Sequence, residues 1–239
     1  MGRAYEVRKA SIQKTGAAKA KLYSMYAREI YQAAKTGGTD PVSNATLKRL
    51  MEKAKKEQVP QDIIKRAVDK VNSGADESYD NVKYELFGPA GSTIIVDCLT
   101  DNVNRSVSNL RAVLNKTGVK MGAQGSVSYM YDNLCAVGFK GQTEEAVLDC
   151  LIENDVEITD LEVEDDLMTI YGDPTDLFKI KEAILTLDEK IEFELDEIAL
   201  FPKETIKLDG EDLEVFNKLM TMLDDIEDVQ HVYHNVELA

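Results

Sequence analysis

Residues 134–201 read LCAVGFKGQTEEAVLDCLIENDVEITDLEVEDDLMTIYGDPTDLFKIKEAILTLDEKIEFELDEIALF, and their alternation of patterns decides the fold. LCAVGF (134–139) is a short apolar run of strand length. TEEAVLDCLIEN (143–154) has helical spacing, ITDLEVE (158–164) and LMTIYGD (167–173) read as strands, PTDLFKIKEAIL (174–185) as a second helix and IEFELDEIALF (191–201) as a last strand. Period-2 and period-3.6 segments of these lengths separate strands from helices, and the order βαββαβ is that of the ferredoxin-like split βαβ unit.

Working outward, the chain on each side of this unit is incomplete alone. NVKYELF (81–87) and STIIVDCL (92–99) read as strands joined by the turn GPAG. VNRSVSNLRAVLNKTG (103–118) reads as a helix with Val103, Val107, Leu110 and Leu114 on one face, and SVSYMYD (126–132) as a strand. A second helix–strand pair is missing there, and EDLEVFNKLMTMLDDI (211–226) followed by VQHVYHNVEL (229–238) supplies it beyond Pro202. The expected arrangement is therefore an inserted ferredoxin-like domain, 133–202, within an α/β domain of 78–132 plus 203–239; one large mixed sheet is the alternative.

The first 77 residues read as a basic helical domain. Leu22, Met25, Tyr26 and Ile30 form one apolar face, ended by Gly37-Gly38; Leu47, Leu50, Met51 and Ala54 form a second; Ile63, Ile64, Ala67, Val68 and Val71, after Pro60 and Asp62, form a third. Glycine just past a helix end and proline at its start are the expected punctuation, and three such helices can bury a small common core. The fold class is thus α+β and multidomain: a three-helix N-terminal domain followed by two α/β, ferredoxin-like domains, one inserted in the other.

Charge divides the chain at the same place. Residues 1–74 hold 16 Lys and Arg against 7 Asp and Glu, whereas residues 75–239 hold 12 against 37. A net charge of −16 conceals this asymmetry, which marks a cationic binding module on an acidic body. The candidate nucleic-acid-binding residues are Arg3, Arg8, Lys9 and Lys14 in the arm, Lys19, Lys21 and Arg28 on the first long helix, and Arg105 and Arg111 farther along. The cations could instead dock the head on its own acidic body.

Catalytic and metal chemistry find no constellation. His231 and His234 are an odd number of residues apart, so a strand points them to opposite faces and away from a shared metal. Cys98, Cys135 and Cys150 are too few and scattered for a disulfide framework or zinc motif and read as buried thiols. The acidic clusters Glu162, Glu164, Asp165, Asp166 and Asp224, Asp225, Glu227, Asp228 lack EF-hand spacing and read as solvated turns and helix ends. The polar run Thr100–Arg105 reads either as a network fixing one corner or as a partner contact. The chain is expected to be no enzyme and to need no cofactor or metal. No apolar run has membrane-spanning length, the opening MGRAYEVRKAS lacks the apolar stretch of a signal peptide, and the expected compartment is the cytoplasm.

The run LFGPAGSTIIVDCLTDNVNRSVSNLRAVLNKTGVKMGAQGSVSYMY, the closing DVQHVYHNVEL and the head REIYQAAKTGGTDPVSNATLKRLMEKAKKEQVPQDIIKRAV together resemble the YebC-type family of probable transcriptional regulators. Relatives of that family include the mitochondrial translational activator of cytochrome c oxidase subunit I. Many members begin with a Gly-His-Ser-Lys-Trp-type arm, which Gly2, Arg3, Ala4 and Tyr5 replace here. The resemblance implies three domains, the third inserted in the second, and nucleic acid as partner. DNA binding in transcription regulation is the first reading, ribosome-associated RNA binding in translation regulation the second, and a protein-only role through the acidic body the third.

Overall fold

The fold is that of a computed structural model, which describes residues 17–74 and 77–237. Seven α-helices and two four-stranded antiparallel sheets make up the described residues, so the chain is α+β. Two compact units result, one from residues 17–74, 77–127 and 208–234, the other from 128–207 and 235–237.

In the first unit, α1 (Ala17–Gly37), α2 (Ala45–Lys56) and α3 (Gln61–Asn72) build the head. Their apolar faces meet in a cluster centred on Tyr26, Ile30, Ala34, Leu47, Leu50, Ala54, Ile64 and Ala67, with Leu22, Met25, Met51, Ile63, Val68 and Val71 packed around it. Every side chain of this cluster comes from the head or from Val59 in its second turn, so the head has a core of its own. Asn44 fixes the α1–α2 corner: its Oδ1 accepts from Leu47 N at 3.0 Å and its Nδ2 donates to Ala33 and Gly38 carbonyls at 2.9 and 2.8 Å. The N-cap and the preceding helix end are thereby satisfied by one side chain.

The first sheet has the order β3-β1-β2-β8, from β1 (Asp80–Phe87), β2 (Thr93–Thr100), β3 (Lys120–Met121) and β8 (Val229–His234). A tight turn at Pro89–Gly91 joins β1 to β2. Helices α4 (Val103–Thr117) and α7 (Gly210–Asp224) pack against each other. Two expectations need correction here. SVSYMYD is not one strand: Ser128–Met130 is a single 3-10 turn, and the strand beside β1 is the short Lys120–Met121. The cause is Glu85, whose buried carboxylate accepts from Gly125 N at 2.7 Å and also from Val127 N, drawing this backbone out of any ladder. The inward face of α4 is also rotated from the one expected: Ser106, Leu110, Val113 and Leu114 are buried, while Val103 is exposed.

The second unit carries β4 (Tyr131–Lys140), α5 (Glu144–Glu153), β5 (Asp160–Glu164), β6 (Leu167–Gly172), α6 (Leu177–Leu187) and β7 (Leu195–Pro202). Its sheet order, β5-β6-β4-β7, with all neighbours antiparallel, is the ferredoxin-like order expected from βαββαβ. Val137, Phe139, Ile170, Val147, Leu151, Ile180 and Ile184 form the core between sheet and helices. The strand expected from Ile191 begins only at Leu195, because Asp188–Glu194 turns before Glu194 N reaches the Gly138 carbonyl at 2.8 Å. Cys98, Cys135 and Cys150 are buried free thiols; burial pushes Cys98 and Cys135 up to about 11, which keeps them protonated and unreactive.

Candidate nucleic-acid interface

Arg3, Arg8, Lys9 and Lys14 lie outside the described residues. The remaining candidates fall into two groups. Lys19 and Arg111 are exposed on α1 and α4. Lys21, Arg28 and Arg105 are engaged by carboxylates of their own unit.

Lys21 Nζ donates to the Asp224 carboxylate at 3.3 Å and to the Asp224 carbonyl. Arg28 Nη1 lies 3.3 Å from both the Glu227 carbonyl and Asp228 Oδ1, and its Nη2 pairs with the Glu227 carboxylate. Only 15% of the Arg28 side chain is exposed, so its guanidinium is committed to this contact. The α7–β8 junction, Asp224–Asp228, is thus where α1 meets the first-sheet region. An acidic run that reads as solvated turn in the sequence is here a receptor for cations.

Asp228 is buried, and Arg105 holds it from the other side, with Nε at 3.3 Å from Oδ2 and Nη2 at 2.9 Å from Oδ1. Arg105 Nη2 also reaches Asp101 at 2.5 Å and Thr100 Oγ1 at 3.4 Å, while Asn102 Oδ1 caps α4 through Arg105 N at 3.0 Å. The Thr100–Arg105 run is therefore a polar network. Hydrogen bonds to Asp228 and then Asp101 hold the Arg105 guanidinium firmly charged, and Arg105 holds Asp101 below the usual carboxylate range.

A second polar seam runs beside the first. Glu29 Oε1 lies 3.0 Å from His231 Nε2. Burial pushes the Glu29 carboxyl up, but His231, Lys53 and Arg49 together outweigh it, so Glu29 stays ionised below its ordinary value. His234 serves elsewhere, edge-on to Phe216 at 5.0 Å. The two histidines thus take separate partners, as their spacing predicts, and no group of three metal-ligating side chains converges among the described residues. The segment entering β1 is tied to α1 as well: Tyr31 Oη donates to the Glu77 carbonyl at 3.1 Å, Lys35 Nζ donates to it at 2.6 Å, and Lys70 pairs with the Glu77 carboxylate at 2.5 Å. Burial and the Glu77 carboxylate push Tyr79 up to about 12.

Other cations of the head are the ones left outward. Lys48 and Lys55, two turns apart on α2, and Lys65 on α3 are exposed. Arg66 is exposed and pairs with Asp62 one turn away. A residue spacing of seven puts Lys48 and Lys55 on one helix face, an arrangement suited to a run of phosphates.

A helical head with its own core, followed by two small antiparallel sheet units, defines the class of protein. The chain belongs to the TACO1/YebC family: residues 3–74 match its "TACO1/YebC protein N-terminal domain" and residues 79–236 its "TACO1/YebC second and third domain". It is 49% identical over 238 residues to a "probable transcriptional regulatory protein" of Marinobacter nauticus, covering 100% of this chain and 99% of the relative. A Vibrio parahaemolyticus protein of the same description is 47% identical over 238 residues, with all of both chains covered. The crystal structure of a conserved hypothetical protein from Aquifex aeolicus superposes with a TM-score of 0.77 at 33% identity, covering 94% of this chain and 92% of that one. No helix among the described residues is long and apolar enough to cross a membrane.

Proposed function

We propose that this chain is a non-catalytic regulator of gene expression that binds nucleic acid through its helical head, with DNA the favoured polyanion and the cytoplasm its place of action. The observation that supports this most is the segregation of charge onto a self-sufficient helical core: α2 and α3 turn Lys48, Lys55, Lys65 and Arg66 outward while the sheet-bearing remainder is strongly acidic. Lys and Arg that neutralise phosphates release counterions, which gives affinity without sequence reading. The relatives' description as probable transcriptional regulatory proteins tilts the choice toward DNA.

The test is fluorescence anisotropy of labelled duplex DNA and of RNA of the same length, titrated with the full chain at several salt concentrations. Binding that weakens steeply with salt is expected, tighter for DNA. Absence of binding at low salt overturns the reading, and tighter RNA binding, joined by co-sedimentation with ribosomes, replaces DNA with a translation partner.

A further inference from the structure

Charged and polar contacts join the head to the first-sheet region. The head's apolar cluster contains no residue from β1, β2, β8, α4 or α7. Contacts across the junction include Lys21 with Asp224, Arg28 with Glu227 and Asp228, Glu29 with His231, and Tyr31, Lys35 and Lys70 with Glu77. Polar junctions of this kind permit relative movement of the parts they join, and ion pairs with an exposed member such as Glu227, whose side chain is 71% exposed, are weak and weakened further by salt.

We propose that Lys21 and Arg28 form an electrostatic latch: in this structure they are closed on Asp224, Glu227 and Asp228, and a polyanion competes with those carboxylates for the same two cations. The acidic α7–β8 junction is then an intramolecular mimic of phosphate, and it restrains binding until a polyanion displaces it. This rests on the polyanion reading of the head. Asp228 has a second cation in Arg105, so opening the latch leaves the buried carboxylate neutralised rather than stranded. Arg28, in turn, would exchange single contacts to two carboxylates, Glu227 and Asp228, for phosphate oxygens, which a guanidinium fork also matches.

The experiment uses the full chain and a labelled 30-nucleotide duplex at low salt. The double variant Asp224→Asn/Glu227→Gln opens the latch from its more exposed side and leaves Asp228 in place. Glu211→Gln/Asp212→Asn, at the opposite end of α7, changes net charge by the same amount and serves as the control. The latch variant is expected to bind about three- to tenfold tighter than the parent, in keeping with the loss of one or two competing ion pairs, and the control to change by less than twofold. Hydrogen exchange of amides 224–230, without nucleic acid, is expected to rise in the latch variant alone. Equal gains in both variants, or none in the latch variant while the parent binds, overturn the latch and leave the polyanion reading standing. Failure of the parent to bind at all overturns both.

Discussion

Gly37 and Asn44 occupy one place between them: a Cβ on Gly37 would stand 2.6 Å from Asn44 Nδ2, inside contact distance. The glycine is a requirement of the capping side chain. Asn44→Ala would strip the N-cap of α2 and remove the side-chain donor shared by the Ala33 and Gly38 carbonyls, so it is expected to destabilise the head by about 1–2 kcal/mol. Gly37→Ala should weaken the same corner by displacing Asn44. Thermal denaturation of both, and of the double variant, checks this: if the two residues act as one device, their effects are less than additive.

Asp228 carries the charge of both Arg28 and Arg105 in a buried position. Arg105→Met is expected to destabilise the first unit by about 1–3 kcal/mol, because a buried carboxylate loses one of its charged donors. Asp228→Ala, which leaves two guanidinium groups facing each other, should cost more. Urea denaturation of the two variants against the parent gives the comparison, and equal stability of all three would remove Asp228 as a keystone.

Acid should act at the same junction. Glu29 has a depressed folded value, so its pairing contributes stability that is fully present above the ordinary carboxylate range, near pH 4.3, and is lost as pH falls through the lower folded value. Asp101 and Glu77 are shifted the same way. The melting temperature is therefore expected to hold steady from about pH 8 to pH 5 and to drop below about pH 4. Glu29→Gln should melt lower at neutral pH and flatten part of the acid limb.

Outward lysines offer a test of the interface itself. Lys48→Glu/Lys55→Glu is expected to weaken DNA binding about tenfold at moderate salt and to reduce the slope of log affinity against log salt by about two. Both side chains are exposed, so thermal stability should stay within about 0.5 kcal/mol of the parent. Charge reversal at Arg8 and Lys9 is expected to act in the same direction, and unchanged affinity in both variants would move the interface to Arg111 and its neighbours.

The helical head and the βαββαβ order were legible because burial imposes a period, and the residues that carry it, Ile30, Leu47, Ile64, Phe139 and Ile170 among them, are fully buried. The misplaced strand at 126–132 had the right alternation but the wrong backbone partner. Val127 N is taken by Glu85, forty-two residues earlier, and an isolated acid in the strand NVKYELF was the available signal. The engagement of Lys21 and Arg28 was not legible in the same way. Their partners lie about 200 residues away, where no periodicity connects them, and in the sequence the acidic run 224–228 reads only as a solvated turn and helix end.

The first sheet also sets an order of events during synthesis. Strand β8 pairs with β2, yet residues 128–207 are made between them. The head can fold from contiguous chain, and so can β4–β7 with their two helices, whereas the first sheet waits for distant residues and carries the larger closure entropy. A nascent head therefore leaves the ribosome with Lys21 and Arg28 still lacking Asp224, Glu227 and Asp228, surrounded by ribosomal phosphate. For the time it takes to translate some two hundred residues, these two cations are without the carboxylates that hold them in the finished fold.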